Sequence, residues 1–184
     1  MKLKVCGMRS PENIIYLAKI MPDYMGFIFW ENSKRFVSNS TPDLVEPIKK
    51  VGVFVNARLD FIKECIEAHK LQAVQLHGNE SPERCSKLRE NDVEVIKAFS
   101  VQEKFDFSKI MIYESVCDYF LFDTKGGLPG GNGLHFDWTL LEDYPSKKPF
   151  FLSGGIGPND YVAIASIIKL NLPIYAVDIN SKFE

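Results

Sequence analysis

Eight short apolar runs, separated by stretches with helical patterning, restrict the fold of this chain more than any other feature of its sequence. Each run is four to seven residues long and rich in Val, Ile and Phe, which is typical of strands buried on both faces. The runs are LKVC (3–6), YMGFIFW (24–30), VGVFVN (51–56), AVQLH (73–77), VEVIKAF (93–99), YFLFD (119–123), PFFLS (149–153) and IYAVDIN (174–180). Such strands, alternating with helices, predict a parallel sheet.

Four short motifs between these runs place a proline just inside an expected helix, in most cases after a capping residue. They are SPEN (10–13), TPDL (41–44), SPER (81–84) and GPND (157–160). Apolar residues at helical spacing predict a further helix after Arg58, and a short one is expected over roughly 136–143. The segment 101–117 has the least clear pattern. We therefore expect a helix after every strand except the last.

Eight such units predict a single (β/α)8 TIM barrel domain over residues 1–184, with the strands inside and the helices outside. A doubly wound open sheet is the alternative, but no Gly-x-Gly-x-x-Gly follows the first strand to support a dinucleotide fold. The chain stops four residues after the last apolar run. We therefore expect the eighth helix to be absent from this chain, which would leave the outer faces of the first and last strands without its cover.

Charge and cysteine usage limit the classes of partner. A net charge of -2 without any basic block argues against nucleic acid, and the longest apolar stretches are strand-length, which argues against a membrane. The four cysteines form no CxxC pair, which favours reduced thiols and a cytoplasmic location. These residues are Cys6, Cys65, Cys85 and Cys117.

Polar residues recur near the ends of five predicted strands, on faces that we expect to point into the barrel. Side chains alternate between the two faces of a strand, and this fold carries its active sites at the C-terminal mouth of the barrel. The residues expected to converge there are Lys4, Cys6, His77, Lys97, Asp123 and Asp178, and Asn180 shares the face of Asp178. The chain has three histidines, and they suggest no set of metal ligands. Cys6 taken alone could be a small buried hydrophobe, so the convergence is what favours function.

Two glycine-rich segments follow the sixth and seventh predicted strands. In SGG (153–155), Gly154 and Gly155 precede a helix, where backbone N–H groups of this fold commonly hold phosphate, although a tight turn is the alternative. In FDTKGGLPGGNG (122–133), five glycines follow Asp123. We expect this loop to close over a bound ligand while Asp123 stays fixed on its strand.

These motifs, taken together and in this order, resemble the phosphoribosylanthranilate isomerase family of tryptophan biosynthesis along nearly the whole chain. The segments that carry the resemblance include KVCGMRSPEN (4–13), GFIFWENSKRFVS (26–38), VQLHGNESPE (74–83), FLFDTKGGLPGGNGLHFDW (120–138), LSGGIGPND (152–160) and AVDINSKFE (176–184). The resemblance implies an Amadori rearrangement of N-(5'-phosphoribosyl)anthranilate to 1-(2-carboxyphenylamino)-1-deoxyribulose 5-phosphate, without cofactor or metal. The chain departs from many relatives at Lys182 and Phe183, where they have Gly-Val.

The same resemblance implies roles for individual residues. Cys6 would be the general base, Asp123 the general acid, and Arg35 the group that holds the anthranilate carboxylate. The phosphate and the rest of the substrate would be held by a further set, namely His77, Gly154, Gly155, Asp178, Asn180 and Ser181. Lys4 lies two residues before Cys6 on the same face, and we expect it to lower the pKa of that thiol.

Three other functions remain as alternatives. The related histidine-pathway isomerase uses an Asp where this chain has Cys6, and a metal-dependent phosphopentose epimerase needs two His and two Asp at strand ends. A non-catalytic phosphosugar-binding protein is the alternative from another class, and the presence of both Cys6 and Asp123 argues against it. We expect the partner to be a small-molecule phosphosugar, and the chain to be a monomer or a homodimer.

Overall fold

The computed structural model describes residues 1–124 and 136–183. Eight parallel strands form a closed barrel in which each strand pairs with the next one along the chain, and the last pairs with the first. The strands are β1 (Lys2–Val5), β2 (Tyr24–Ile28), β3 (Lys49–Phe54), β4 (Ala73–Leu76), β5 (Glu94–Val101), β6 (Tyr119–Thr124), β7 (Phe150–Leu152) and β8 (Ile174–Ile179). The expected strands and the TIM-barrel fold are therefore confirmed.

Helices follow most of the strands, as the alternation predicts. They are α1 (Pro11–Ala18), α2 (Leu59–His69), α3 (Pro82–Arg89), α4 (Ser108–Met111) and α5 (Tyr161–Ile168), with 3₁₀ helices at Trp138–Asp143 and Pro158–Asp160. Three of the four proline motifs begin a helical segment, since the missing N–H of proline has no partner to lose in the first turn. Within residues 1–124 and 136–183, no helix has the length and apolar character needed to cross a membrane.

The helix expected at TPDL (41–44) does not form. Residues 41–45 have no regular structure, and a turn follows at positions 46 and 47. Pro47 comes five residues after Pro42 and lacks an N–H, and it also restricts the residue before it, so the segment is too short to complete a stable helix. As a result β2 is joined to β3 by a loop without an α-helix, and this loop carries Arg35.

Apolar side chains fill the barrel in two separate layers. The inner cluster lies inside the ring of strands and contains Tyr24, Val51, Ala73, Ile96, Ala98, Leu121, Phe151 and Ala176. A larger outer cluster lies between the strands and the helices, and its members include Phe54, Leu76, Phe120, Phe122, Phe150 and Leu152. The inner cluster closes the floor of the barrel, so that the polar residues at the strand ends line a cup above it.

Lys97 lies on the outer face of its strand and does not join the cup, contrary to the expectation from the sequence. Its neighbours Ile96 and Ala98 belong to the inner cluster, and alternation along β5 therefore turns Lys97 outward. Its Nζ lies 3.0 Å from Glu80 Oε2 and donates to the carbonyl of Gly78 at 2.7 Å. The nearby carbonyls of Leu76 and Ala98 accept further hydrogen bonds from the same ammonium group.

Glu80 completes this buried network on the other side. Its carboxylate accepts the backbone N–H of Asn56 at 2.8 Å and that of Gly78 at 3.0 Å. The side chains of Lys97 and Glu80 are 3% and 0% exposed, so the pair is screened from water. The pair therefore holds the segments that follow β3 and β4 against β5.

Replacing Lys97 by Met should strongly destabilise the fold, because Glu80 would keep a buried charge without its cation. We expect Lys97→Met to lower the free energy of unfolding by about 3–5 kcal/mol. The double variant Lys97→Met/Glu80→Gln removes both charges and should recover part of that loss. Urea denaturation followed by circular dichroism measures both.

Lys87→Met is the matched control, because Lys87 pairs with Glu83 on the surface, where the two side chains are 52% and 76% exposed. Its loss should cost under about 1 kcal/mol. Equal losses for Lys87→Met and Lys97→Met would contradict a stabilising role for the buried pair.

Candidate active site

A pocket opens at the carboxyl ends of the strands, and every residue to which the family resemblance gave a catalytic or substrate-binding role lines it. These residues are Cys6, Arg35, His77, Asp123, Gly154, Gly155, Asp178, Asn180 and Ser181. Apolar and uncharged side chains complete the wall, among them Ile28, Trp30, Val53, Val55, Gln75 and Ser153. The closed barrel thus gathers groups from β1, β4, β6 and β8 around one space.

Cys6 lies directly after β1 at the seam where the barrel closes. Its backbone N–H donates to the carbonyl of Ile179 at 2.9 Å, which extends the pairing of β1 with β8 by one residue. Below it, Lys4 Nζ lies 2.9 Å from each carboxylate oxygen of Asp178. Lys4 is fully buried and Asp178 is 6% exposed, so Cys6 lies directly above a desolvated ion pair.

Burial raises the pKa of the Cys6 thiol, because the thiolate loses its hydration. Lys4 opposes that shift through its charge and a hydrogen bond, whereas the negative charge of Asp178 adds to it. Lys4 therefore does lower the pKa of Cys6, as expected. The net shift is nevertheless upward, so the expectation of a lowered pKa is wrong. The ammonium of Lys4 is already paired with Asp178, and the pair presents little net charge to the thiol.

Two glycines make room for the side chains around Cys6. A Cβ on Gly26 would lie 2.7 Å from Cys6 Sγ, so only glycine leaves space for the sulfur there. Gly7 has a φ of 80°, and a Cβ on it would lie 2.5 Å from Arg35 Cδ. These positions let Arg35 pack across the end of β1 and line the pocket from the loop after β2.

Asp123 and His77 lie side by side in the wall of the pocket. Asp123, near the end of β6, is 5% exposed, and its Oδ1 accepts the backbone N–H of Thr124 at 3.0 Å. Its Oδ2 lies 3.2 Å from His77 Nε2. On the far side of the imidazole, Gln75 Nε2 lies 2.9 Å from His77 Nδ1. The sequence analysis did not assign Gln75 to the site, although alternation along β4 places it on the same face as His77.

The turn after β7 has the geometry of an anion site. Gly154 and Gly155 have φ values of 96° and 64°, which residues with a Cβ rarely adopt. A Cβ on Gly154 would also overlap the side chain of Thr124. Asn180 reaches the same pocket from the end of β8, and its buried Oδ1 has no hydrogen-bond partner among the described residues. Backbone N–H groups and an amide thus meet at one end of the pocket.

Lys182 packs against the loop that follows this turn, since a Cβ on Gly157 would lie 2.7 Å from Lys182 Cδ. Gly157 therefore leaves room for the Lys182 side chain. The glycine-rich segment that contains Gly126 to Gly133, together with His135, lies outside the described residues. The expected closure of that loop therefore stays a prediction.

The sequence and fold are similar to those of known isomerases. The family model for N-(5'-phosphoribosyl)anthranilate (PRA) isomerase matches residues 3–184. The N-(5'-phosphoribosyl)anthranilate isomerase of Parabacteroides distasonis is 45% identical over 192 residues, which cover 100% of this chain and 85% of the relative.

Solved structures agree with this similarity. The crystal structure of phosphoribosyl anthranilate isomerase from Thermotoga maritima superposes with a TM-score of 0.85 at 31% identity, covering 100% of this chain and 89% of that one. A crystal structure of phosphoribosyl anthranilate isomerase in complex with reduced 1-(O-carboxyphenylamino)-1-deoxyribulose 5-phosphate superposes with a TM-score of 0.80 at 30% identity, with the same coverage.

Alkylation of Cys6 should require a higher pH than that of an ordinary thiol, because burial disfavours its thiolate. We expect the reaction of Cys6 with iodoacetamide to reach half its maximal rate above about pH 8.5. Lys4→Met should move this midpoint further upward, because Lys4 stabilises the thiolate. Mass spectrometry of the peptide that contains Cys6 measures the rate at each pH.

Lys2→Met is the control for this experiment, since Lys2 lies on the same strand but pairs with Asp23 at the surface. It should leave the midpoint unchanged. A midpoint below that of an ordinary thiol, or one that does not respond to Lys4→Met in a folded protein, would refute the description of Cys6.

Proposed function

The chain belongs to the N-(5'-phosphoribosyl)anthranilate isomerase family, and from that premise we propose how its pocket isomerises N-(5'-phosphoribosyl)anthranilate to 1-(2-carboxyphenylamino)-1-deoxyribulose 5-phosphate. The reaction is a step of tryptophan biosynthesis. The observation that carries the proposal is that Cys6 and Asp123 line one pocket together with Arg35 and the Gly154–Gly155 turn. Because β1 and β6 are not neighbours in the barrel, Cys6 and Asp123 can contact a bound sugar from two sides.

The first chemical step opens the furanose ring, and Asp123 supplies the proton. Asp123 donates to the ring oxygen O4' while the C1'–O4' bond breaks. The lone pair of the anthranilate nitrogen forms the C1'=N bond of a Schiff base cation, and Asp123 becomes a carboxylate. His77 Nε2, 3.2 Å from Asp123 Oδ2, is placed to stabilise that carboxylate once it forms.

The second step removes the proton from C2', and the Cys6 thiolate accepts it. The C–H electron pair forms a C1'=C2' bond, while the electrons of the C1'=N bond return to nitrogen and give a neutral enolamine. Transfer of the proton of the C2' hydroxyl to C1' then yields the ketone. Substrate and product contain the same atoms. Asp123 has lost one proton and Cys6 has gained one, so a net transfer of one proton from Cys6 to Asp123 through solvent restores both groups before the next turnover.

Binding groups at both ends of the pocket would hold the substrate so that its sugar lies between Cys6 and Asp123. Arg35 presents a planar guanidinium that suits the anthranilate carboxylate. The positive-φ turn at Gly154 and Gly155, with Asn180 and Ser181, would hold the phosphate through N–H groups. His77 and Asp178 lie between the two ends, where they contact the sugar.

Three further features belong to the same proposal. We assign residues 1–184 to one domain, since the barrel needs strands from both ends of the chain to close. We place the reaction in the cytoplasm, in keeping with four cysteines that are all free thiols. The chain acts as a monomer or a homodimer with a small phosphosugar as its partner.

Turnover of N-(5'-phosphoribosyl)anthranilate, followed by the loss of anthranilate-type fluorescence, tests the function directly. Cys6→Ser and Asp123→Asn should each lower kcat by about 10²-fold or more, the usual scale for acid–base groups, with little change in substrate affinity. Cys65→Ser is the matched control, because Cys65 is buried on α2 outside the pocket. Near-normal turnover in either site variant would overturn the acid–base assignment.

Arg35→Lys tests the carboxylate anchor, because lysine keeps the charge but loses the planar fork. The lost bidentate contact should raise KM by about 10–100-fold, which corresponds to about 1.5–3 kcal/mol. Arg89→Lys is the control, since Arg89 lies beside Asp118 on the surface. Unchanged kinetics in Arg35→Lys would place the anthranilate carboxylate elsewhere.

A further inference from the structure

Gln75 is a buried amide in the wall of the pocket, and the proposed mechanism gives it no role. It lies on β4 between Val53 of β3 and Ile96 of β5 in the strand register, and it is 1% exposed. Placing an amide between two apolar neighbours costs free energy unless the amide is hydrogen-bonded. Its one hydrogen bond to a side chain among the described residues is to His77 Nδ1 at 2.9 Å. Its buried Oε1 has no hydrogen-bond partner among the described residues, so the contact with Nδ1 is the one through which Gln75 orients His77.

We propose that Gln75 is a positioning residue that holds His77 as a neutral imidazole with its proton on Nε2, facing Asp123. This inference rests on the proposed role of Asp123 as the general acid. A neutral imidazole has one nitrogen that donates and one that accepts. Once ring opening has made Asp123 a carboxylate, it only accepts, so the nitrogen beside its Oδ2, which is Nε2, must carry a proton at that stage. Nδ1 is then the acceptor and faces the Gln75 NH₂ group.

The opposite tautomer of His77, with its proton on Nδ1, is disfavoured by the contact with Asp123. If the proton were on Nδ1, the bare Nε2 would face the carboxylate that ring opening leaves on Asp123, and two acceptors would be in contact at 3.2 Å. His77 Nε2 and Asp123 are close but not aligned as a hydrogen bond, and Nε2 has no other partner among the described residues. Such contacts often become aligned only when substrate is bound.

A neutral His77 matters for ring opening. An imidazolium beside Asp123 would favour the carboxylate over the acid, because opposite charges attract. Gln75 disfavours the imidazolium, since its NH₂ group would then face a second N–H at Nδ1. Asp123 can therefore keep the proton that O4' receives, and His77 Nε2–H can donate to the carboxylate that remains.

The other charged groups near the imidazole belong to the ion pair below it. Asp178 of β8 is electrostatically coupled to both His77 and Asp123, but its charge is balanced by Lys4 of β1 at 2.9 Å. Cys6 lies above that ion pair and interacts electrostatically with Lys4. The remaining contact of the ring that can set the position of its proton is the Gln75 amide.

Gln75→Glu is the decisive variant, because it keeps the size and shape of the side chain and reverses the direction of the hydrogen bond. A carboxylate beside Nδ1 should draw a proton onto that nitrogen. With only three histidines in the chain, ¹⁵N NMR of the imidazole rings reports the change at His77 directly. The folded wild-type chain should show His77 as the Nε2–H tautomer, and Gln75→Glu should show it protonated on Nδ1.

Kinetics of the same variant should separate positioning from a general loss of structure. We expect Gln75→Glu to lower kcat by about 10–100-fold with KM within about twofold, the scale of a misplaced catalytic group. Gln75→Met removes the NH₂ group without adding charge, so it should also lower kcat with KM within about twofold, and ¹⁵N NMR should show His77 as a mixture of the two tautomers. This variant also replaces Gln75→Glu if the latter does not fold.

The outcomes distinguish this inference from the function on which it rests. If the wild type does not turn over the substrate, the proposed function fails, while the tautomer of His77 can still be read by NMR. If Asp123→Asn loses activity but Gln75→Glu keeps its full kcat, the inference alone is overturned. It is also overturned if the wild-type imidazole carries its proton on Nδ1.

Discussion

The ion pair between Lys4 and Asp178 joins the first strand of the barrel to the last. The two residues are register partners in the pairing of β1 with β8, and their charged groups are 2.9 Å apart in a buried site. Desolvating two charges is costly, and only a well-aligned pair offsets that cost. A shift of the seam by one residue would move one charge to the other face of its strand and leave both unpaired. The pair therefore favours one register at the point where the barrel closes.

The same pair determines the surroundings of the proposed base. Cys6 follows Lys4 by two residues and faces the same interior, so the interaction that closes the barrel is also the nearest source of charge for the thiol. Below it, the inner apolar cluster, which includes Tyr24 and Phe151, fills the barrel and keeps water from reaching the pocket through its floor. On the side that faces the barrel interior, water therefore screens the charges in the cup only weakly.

The sequence predicted what depends on local pattern and missed what depends on distant partners. Strand lengths and proline positions are local, so all eight strands and most helix starts were correct, while TPDL (41–44) failed because a second proline interrupts it. Lys97 was assigned to the wrong face because its neighbours on β5, and not its own charge, decide which way it points. The net effect on Cys6 was missed because Lys4 is bound to a carboxylate 174 residues away along the chain.

The raised pKa of Cys6 is compatible with a role as base when the order of the steps is considered. Burial disfavours the thiolate, and the positive charge of Lys4 near the sulfur is balanced by Asp178. Ring opening by Asp123 creates a cation on the C1'=N group, and this cation both acidifies the C2' proton and attracts a thiolate. A thiol of raised pKa is also a stronger base once ionised, which favours the proton transfer itself. In the proposed mechanism the acid step therefore makes the base step possible. Gln75 keeps His77 neutral, and Asp123 thereby retains the proton that opens the ring.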